Sequence, residues 1–264
     1  MPNQSNMEDG KTMSEAAMRD TLATDPLSFA IVTDTHIDPY VPERSEDLKA
    51  VYAHLLKHPN RQPDFLFHTG DLVECGFPHE YETFISLIPS DLQDRFYVTR
   101  GNHEVRWDEW AGENFNKLFG NGQYSFDMGG IHFIALDPTE PLKEPGYFTR
   151  EDLQWLHNDL QQLERETPVI IFLHHPIGHD NYFISNQAQL LKVIEPFNVR
   201  AVFSGHVHRE EKWEQNGITF FSMPAIKNGP YFFWVEKTWD ALGQPNLSIY
   251  SGAINKDRDD DVTW

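Results

Sequence analysis

Five short polar clusters recur along the chain, and four of them follow a run of apolar residues that favour β-strands. The apolar runs lie at residues 29–32, 65–67, 96–98 and 169–173, and a weaker run at 199–203 precedes the fifth cluster. The clusters are Asp34-Thr35-His36, Gly70-Asp71, Gly101-Asn102-His103-Glu104, His174-His175-Pro176 and Gly205-His206-Val207-His208. Parallel strands bring the residues after their carboxyl ends to one edge of a sheet. We therefore expect these polar side chains to meet at one rim of the fold.

The residue types in these clusters predict a metal site. Imidazole nitrogen and carboxylate oxygen bind borderline divalent metals such as Zn, Mn, Fe and Co. The candidate donors are Asp34, His36, Asp71, Asn102, His174, His206 and His208. A single catalytic ion needs about three protein ligands, whereas two ions about 3.5–4 Å apart that share one carboxylate would use the whole set. Asp71 suits the shared position, because its carboxylate has two oxygens and the preceding Gly70 lets the backbone approach closely.

The ordered clusters closely resemble the calcineurin-like metallophosphoesterase superfamily, whose pattern is D-x-H, G-D, G-N-H-[DE], an isolated His and G-H-x-H. The resemblance spans residues 34–208, about two thirds of the chain. It implies that one metal is held by Asp34, His36, Asp71 and His208, and the other by Asp71, Asn102, His174 and His206. The usual His-x-Pro form of the fourth cluster selects His174 over His175. The resemblance also implies that His103 lies near the phosphoryl group, where it stabilises the transition state or protonates the leaving oxygen.

The implied activity is hydrolysis of a phosphoester by a hydroxide that bridges the two ions. The compact chain looks most similar to bacterial phosphodiesterases that act on cyclic nucleotides or glycerophosphodiesters. A phosphomonoesterase or a nucleoside diphosphate-X pyrophosphatase would use the same centre, and this alternative stays open. A non-enzymatic scaffold is disfavoured, because it predicts missing ligands and none is missing. The sequence contains no G-x-S-x-G and no P-loop pattern.

Substrate contacts are expected from His103, Asn102, Trp107 and His175, with His179 and Asn181 as further candidates. An aromatic rim for a nucleobase is expected from Trp107, Trp110, Phe115, Tyr147, Phe148, Tyr182 and Phe183. Glu104 and Asp38 are candidates to hydrogen-bond the outer nitrogens of the histidine ligands.

The remaining histidines are interpreted as surface or core residues: His54, His58, His68, His79, His132 and His157. A structural zinc site is disfavoured, since such sites prefer cysteine and the chain has only Cys75. A buried, inert thiol is the favoured interpretation of Cys75.

Composition limits the partners. A net charge of −20 argues against a nucleic-acid polymer, whose binding depends on neutralising phosphates, but not against a small phosphorylated substrate. No run of about 18 apolar residues occurs, so no membrane association is expected. The single cysteine and the absence of an apolar leader predict a cytoplasmic protein. The oligomeric state, monomer or homodimer, stays open.

The elements between the clusters predict an α/β fold. Helical spacing is clear at 45–58, 81–88, 149–163 and 187–195, and a hairpin is expected from residues 124–126 and 131–136. Strands are expected at 217–222, 231–235 and 247–250. Their order predicts a four-layer α/β/β/α sandwich with two mixed β-sheets packed face to face. The predicted organisation is a flexible leader at 1–28, a single metallophosphoesterase domain at 29–252 and an acidic tail at 253–264.

Overall fold

The computed structural model describes residues 26–57, 62–178, 183–239, 245–254 and 262–263. Twelve strands in this part of the chain form two six-stranded sheets. The first sheet has the order β12-β11-β10-β1-β2-β3. Its strands are β1 Ser28–Val32, β2 Phe65–His68, β3 Phe96–Val98, β10 Tyr231–Trp239, β11 Pro245–Ile254 and β12 Val262–Thr263. Its first three strands in the chain run parallel, and β10 joins β1 antiparallel.

The second sheet has the order β4-β5-β6-β7-β9-β8. Its strands are β4 Tyr124–Met128, β5 Ile131–Ala135, β6 Val169–Phe172, β7 Val199–Ser204, β8 Glu211–Gln215 and β9 Ile218–Ser222. β5, β6, β7 and β9 run parallel, while β4 and β8 are antiparallel edge strands. Both sheets are therefore mixed, as predicted.

Helices cover the outer faces of the sheets. They are α1 Pro42–Lys57, α2 Pro78–Leu87, α3 Ser90–Gln93, α4 Ala111–Phe119, α5 Arg150–Leu160 and α6 Gln187–Ile194. α1 and α2 pack on the first sheet, and α5 and α6 pack on the second. In the part of the chain that the structure describes, no helix combines the length and apolar character needed to cross a membrane.

The alternation of side chains along β1 shows how the layers are joined. Phe29 and Ile31 point between the sheets, whereas Ala30 and Val32 point towards α1. Because successive side chains of a strand face opposite ways, an apolar run with no polar positions has to be buried on both faces. The core between the sheets is rich in phenylalanine, and the rings of Phe67 and Phe172 stack across it with centroids 3.9 Å apart. The predicted four-layer sandwich is confirmed.

Some element boundaries differ from the sequence prediction. α1 begins at Pro42, so Ser45 lies inside the helix and does not cap it. The tryptophan-rich segment after the third cluster contains helix α4, and the polar strand β8 has no apolar pattern that would have predicted it. The predicted leader at 1–28 and the acidic tail at 253–264 lie largely outside the described residues. These boundaries therefore stay predictions.

Candidate metal centre

The candidate ligands lie just beyond the carboxyl ends of five strands. Asp34 follows β1, Asp71 follows β2, Asn102 follows β3, His174 follows β6 and His206 follows β7. Three of these strands are parallel neighbours in the first sheet and two are parallel neighbours in the second. Since the sheets pack face to face, the five loops converge on one rim, as the sequence predicted.

The backbone at this rim adopts an uncommon conformation. Among the described residues, seven non-glycine residues have positive φ, and five of them are candidate ligands. The five are Asp34 at 52°, His36 at 45°, Asp71 at 54°, His206 at 68° and His208 at 57°. Each such residue costs about 1–3 kcal/mol and persists only where its surroundings enforce it. The fold therefore holds these five residues in backbone conformations that lower its free energy of unfolding.

Two glycines let the loops approach each other. Gly70 has a φ of 102°, and a Cβ there would lie 2.7 Å from the backbone nitrogen of Gly101. A Cβ on Gly205 would lie 2.3 Å from an Asp34 carboxylate oxygen. Close contacts therefore require glycine at both positions, and at Gly70 the backbone conformation requires it as well.

The first group of donors consists of Asp34 and three side chains close to it. The Nε2 atom of His208 lies 3.0 Å from Asp34 Oδ1, and the Nε2 atom of His36 lies 3.7 Å from the same oxygen. His36 Nε2 also lies 3.4 Å from Asp71 Oδ2. One donor atom from each of Asp34, His36, Asp71 and His208 lies within 4.8 Å of all the others. This is the set that the family resemblance assigns to one metal.

A second group begins at the same Asp71 oxygen. The Nε2 atom of His174 lies 3.2 Å from Asp71 Oδ2 and 3.1 Å from Asn102 Oδ1. The Nδ1 atom of His206 lies 2.9 Å from Asn102 Oδ1. Oδ2 of Asp71 is thus adjacent to both groups, the position that sequence reasoning gave to a shared ligand.

The other oxygen of each aspartate is held by the protein. Asp71 Oδ1 accepts the backbone N–H of His103 at 2.8 Å. Asp34 Oδ2 accepts the Thr33 hydroxyl at 2.7 Å and the backbone N–H of His206 at 3.1 Å. These bonds orient Asp71 Oδ2 and Asp34 Oδ1 towards the imidazoles, so one oxygen of each carboxylate is left for a ligand.

Several of the inward-facing atoms have no hydrogen bond. Asp34 Oδ1 and both ring nitrogens of His36 are fully buried and make no hydrogen bond of regular geometry with the described residues, and only ionic contacts of 3.0–3.7 Å surround them. Unpaired buried polar atoms cost about 1–3 kcal/mol each, so native proteins rarely leave them together unless something else binds them. Oxygen and imidazole donors brought this close suit a divalent cation. The residues present therefore fit the metals that the sequence implied.

The pKa shifts of the buried acids and histidines also favour a bound cation at this rim. Burial alone would raise the pKa of Asp71, but the surrounding histidines hold it well below its usual range. Burial alone would lower the pKa of His36, but the carboxylates of Asp34 and Glu74 outweigh it and raise this pKa to about 9. The pKa of His174 is also raised to about 9, because Asp71 and Asp34 outweigh its burial. The carboxylates therefore create a strong demand for positive charge, which protons and metal ions compete to meet.

His103 is held beside this rim by Glu74, a residue that the sequence analysis did not identify. The Nδ1 atom of His103 lies 2.6 Å from the carbonyl oxygen of Glu74, which also accepts the indole N–H of Trp107 at 3.1 Å. The carboxylate of Glu74 lies 3.4 Å from His36 Nδ1 and 2.5 Å from the Arg44 guanidinium. Glu74 thus supports a candidate ligand through its side chain and the candidate catalytic histidine through its backbone. Its only sequence signal is its place three residues after Asp71.

Glu104 and Asp38 were expected to hydrogen-bond the outer nitrogens of the histidine ligands, but both accept backbone N–H groups instead, so that expectation is wrong. Glu104 is buried and accepts the backbone N–H groups of Asp71, Val73 and Gly101 at 2.9, 3.1 and 2.7 Å. It therefore ties the second cluster to the third by their backbones. The carboxylate of Asp38 accepts the backbone N–H of Tyr40 at 2.9 Å, which closes a local turn.

His175 lies behind the site and not at its surface. It is fully buried, its Nε2 donates to the carbonyl oxygen of Glu144 at 2.7 Å, and its ring centroid lies 4.7 Å from that of His206. Burial also lowers the pKa of His175 well below its ordinary value, which favours the neutral ring. The expectation that His175 contacts the substrate conflicts with this position, in which it supports His206.

The expected aromatic rim is smaller than the sequence suggested. Phe115 and Phe148 are buried in the two helix-covered cores, and Phe183 is partly buried with its ring 5.0 Å from His206. Trp107 and Trp110 are 50% and 63% exposed, and Tyr147 is also exposed. His179, Asn181 and Tyr182 lie outside the described residues. Of the two tryptophans, Trp107 is tied to the site by its bond to Glu74.

The other described histidines contact structural neighbours. His68 is buried beside the Thr35 hydroxyl at 3.0 Å, and burial lowers its pKa to about 3. His132 lies between Asp127 and Asp159 at 2.7 and 2.9 Å. Burial alone would lower the pKa of His132, but these two aspartates raise it to about 9. The rings of His54, His79 and His157 pack near phenylalanines. His58 lies outside the described residues.

Comparison with known proteins adds an independent line of support. The sequence profile of the calcineurin-like phosphoesterase family (Metallophos) matches residues 27–210. A 3',5'-cyclic-nucleotide phosphodiesterase of Nostoc sp. is 27% identical over 235 residues, which cover 83% of this chain and 84% of the relative. A probable glycerophosphodiester phosphodiesterase of Arcobacter nitrofigilis is 30% identical over 199 residues, covering 67% of this chain and 70% of the relative.

Among solved structures, the fold is similar to that of a purple acid phosphatase from yellow lupin seeds. The TM-score is 0.68 at 15% identity, and the match covers 88% of this chain. The chain spans about half the length of that protein, 52%. At this identity the likeness concerns the fold alone.

Proposed function

The chain belongs to the calcineurin-like phosphoesterase family, and on that basis we propose that it hydrolyses small phosphodiesters, namely cyclic nucleotides or glycerophosphodiesters, at a two-metal centre. The observation that carries the proposal is the position of Asp71. One of its oxygens lies 3.4 Å from His36 in one group of donors and 3.2 Å from His174 in the other. The names of the relatives supply the substrate class, since both are phosphodiesterases.

We assign one ion to Asp34, His36, Asp71 and His208, and the other to Asp71, Asn102, His174 and His206. When bound, such ions lower the pKa of water and neutralise charge that develops on a phosphoryl group. The nitrogen and oxygen donors suit Mn, Fe, Zn or Co and do not choose among them.

His103 is the residue to which we assign proton transfer. Its Nδ1 is engaged by the Glu74 carbonyl oxygen, which requires the proton on that nitrogen and leaves Nε2 for the substrate. Burial lowers the pKa of His103, although Asp71 opposes this effect. A neutral ring must gain a proton at Nε2 before it can protonate a leaving oxygen, so this role favours the acidic side of neutrality.

Trp107 is the residue to which we assign contact with the organic part of the substrate. Its ring centroid lies 6.0 Å from that of His103, half of the side chain is exposed, and the Arg106 guanidinium lies 4.5 Å from the ring centroid. A flat, exposed ring beside the catalytic histidine can stack on a nucleobase or pack against a glycerol moiety. Asn102 and His103 would contact the phosphoryl group.

The wider setting fits a small substrate. The net charge of −20 disfavours a nucleic-acid polymer, and the single cysteine supports a reducing compartment such as the cytoplasm. We keep both a monomer and a homodimer as candidate assemblies.

The proposal is tested by turnover of Mn-loaded protein on bis(p-nitrophenyl) phosphate and on p-nitrophenyl phosphate. We expect the diester to be preferred, and His103→Ala to lower its kcat by about 10²–10⁴-fold with metal content unchanged. His79→Ala, which replaces an exposed histidine at the start of α2, is the matched control and keeps wild-type turnover. A preference for the monoester would overturn the phosphodiesterase assignment in favour of a phosphatase or pyrophosphatase. Turnover of neither ester would overturn the substrate class.

A further inference from the structure

A cavity opens at the end of the sandwich where the parallel strands of the second sheet begin, away from the candidate metal ligands. It has a volume of 640 Å³, and we call it the cationic groove. Its lining includes three cationic side chains, Arg165, Arg200 and Lys237, and three apolar ones, Ile131, Phe197 and Leu247.

The groove lies far from the candidate metal ligands. Ile131 begins β5, and Arg200 is the second residue of β7. The candidate ligands follow the carboxyl ends of strands, whereas these residues lie at amino ends. From Pro168, another lining residue, to His174 the extended chain covers six residues, or about 20 Å at the rise of a strand. A molecule in the groove therefore does not reach the metal centre.

The charge of the groove is opposite to that of the whole chain. The chain has 41 acidic residues and 21 lysines and arginines, so an ordinary patch of its surface would hold about two acids for each cation. The lining of the groove holds three cations and one acid, Glu166. Its local charge is therefore the most direct clue to what it binds.

Two of the three cations are available to a ligand. Arg165 and Arg200 are exposed, and neither guanidinium makes a hydrogen bond or ion pair with the residues that the structure describes. Lys237 is buried, and its ammonium group donates to the carbonyl oxygen of Gly129 at 2.6 Å. The two guanidiniums can therefore each offer paired N–H donors to an anion.

The walls of the groove are held in place by backbone and side-chain hydrogen bonds. The backbone N–H of His132 donates to the Pro168 carbonyl oxygen at 2.9 Å, which joins the starts of β5 and β6. The Asn198 side-chain amide donates to the Glu166 carbonyl oxygen at 2.7 Å. A cavity formed in advance binds a ligand without the cost of ordering its walls.

From this combination we propose that the cationic groove binds a small organic dianion, with two negative groups attached to an apolar or aromatic body. The two guanidiniums pair with the negative groups, and Ile131, Phe197 and Leu247 contact the body. The proposal is independent of the metal centre and of the reaction assigned to it.

The experiment is calorimetric titration of the metal-free full chain with benzene-1,3-disulfonate, an aromatic dianion that coordinates metals weakly. We expect saturable binding, and we expect the double variant Arg165→Gln/Arg200→Gln to weaken it at least about tenfold, because it loses both charge-assisted partners. Benzenesulfonamide, which has the same ring without the charge, should bind no more than weakly.

Two further variants separate this site from alternatives. Lys49→Gln/Arg150→Gln removes two exposed positive charges elsewhere and should bind the probe like the wild type. Asp71→Asn alters the metal centre and should also leave binding unchanged. Absence of binding to the wild type, an equal loss in the Lys49/Arg150 variant, or a loss confined to Asp71→Asn would overturn the proposal. Unchanged thermal midpoints would show that the variants are folded.

Discussion

Replacing Glu74 by glutamine tests whether the carboxylate behind His36 supports the metal centre. The change keeps the size of the side chain and leaves the Glu74 carbonyl oxygen in place for His103 and Trp107. It removes the negative charge that lies 3.4 Å from His36 Nδ1. The lost charge also faces Arg44 and, at 3.6 Å, His103 Nδ1, while the backbone contacts of Glu74 stay in place.

The magnitude follows from this geometry. A carboxylate beside the outer nitrogen of a metal-binding histidine fixes the tautomer and raises the basicity of the ring, and its loss costs about 10–100-fold in metal affinity. That range corresponds to about 1.4–2.8 kcal/mol. A full charge pair at this distance and an effective dielectric constant near 20 would be worth about 5 kcal/mol. We expect less, because Arg44 already neutralises part of the Glu74 charge at 2.5 Å.

The assay is titration of metal-free protein with Mn²⁺, together with turnover of the diester at saturating metal. We expect Glu74→Gln to weaken the binding of one ion about 10–100-fold while kcat at saturation changes little. The matched control is Glu80→Gln. Glu80 is a buried carboxylate in the same segment, but it accepts the backbone N–H groups of Cys75 and Phe77 and does not face the site. Wild-type affinity in Glu74→Gln, or an equal loss in Glu80→Gln, would refute the role given to Glu74.

Asp71→Asn should lower the content of both ions and reduce diester turnover at least about a hundredfold, because both donor groups lose the oxygen they share. Metal analysis that finds two ions per chain in this variant would contradict the shared-ligand assignment. The pKa of His132 in the folded protein is about 9, above its ordinary value of 6.5, so its stabilisation is present below pH 6.5 and is lost as pH rises through 9. Because Asp127 is exposed, we discount the effect and expect the free energy of unfolding in urea to fall by about 2 kcal/mol over this pH range. The variant His132→Gln should not show this loss. Phe172→Ala should cost about 3–5 kcal/mol, because this ring is fully buried between the sheets, whereas Trp110→Ala at an exposed position should cost less than about 0.5 kcal/mol. Similar unfolding midpoints for these last two variants would contradict the assigned core.

Much of the fold could be predicted because its signals are local. Apolar runs indicated the strands, and the helical spacing of leucines indicated the helices. Boundaries were predicted less well: helix α1 begins at Pro42, three residues before the predicted Ser45. Strand β8 was missed because its sequence, Glu-Lys-Trp-Glu-Gln, is that of an exposed edge and not of a core.

The sequence by itself determined which residues make up the candidate donor set and that each cluster follows a predicted strand, because residue types and apolar runs can be read along the chain. The tertiary structure decided which atoms meet. His206 and Asn102 are 104 positions apart in the sequence, yet their donor atoms lie 2.9 Å from each other. Glu74 contacts His36 from a loop whose sequence has no motif that would have predicted the contact. The tertiary structure also buries His175, although the sequence analysis expected it to contact the substrate. It brings Arg165 and Arg200 together in the lining of the cationic groove. Such contacts depend on the order and register of strands in two sheets and on how the sheets pack. That order is fixed by the burial of whole faces, so no local run of residues carries it.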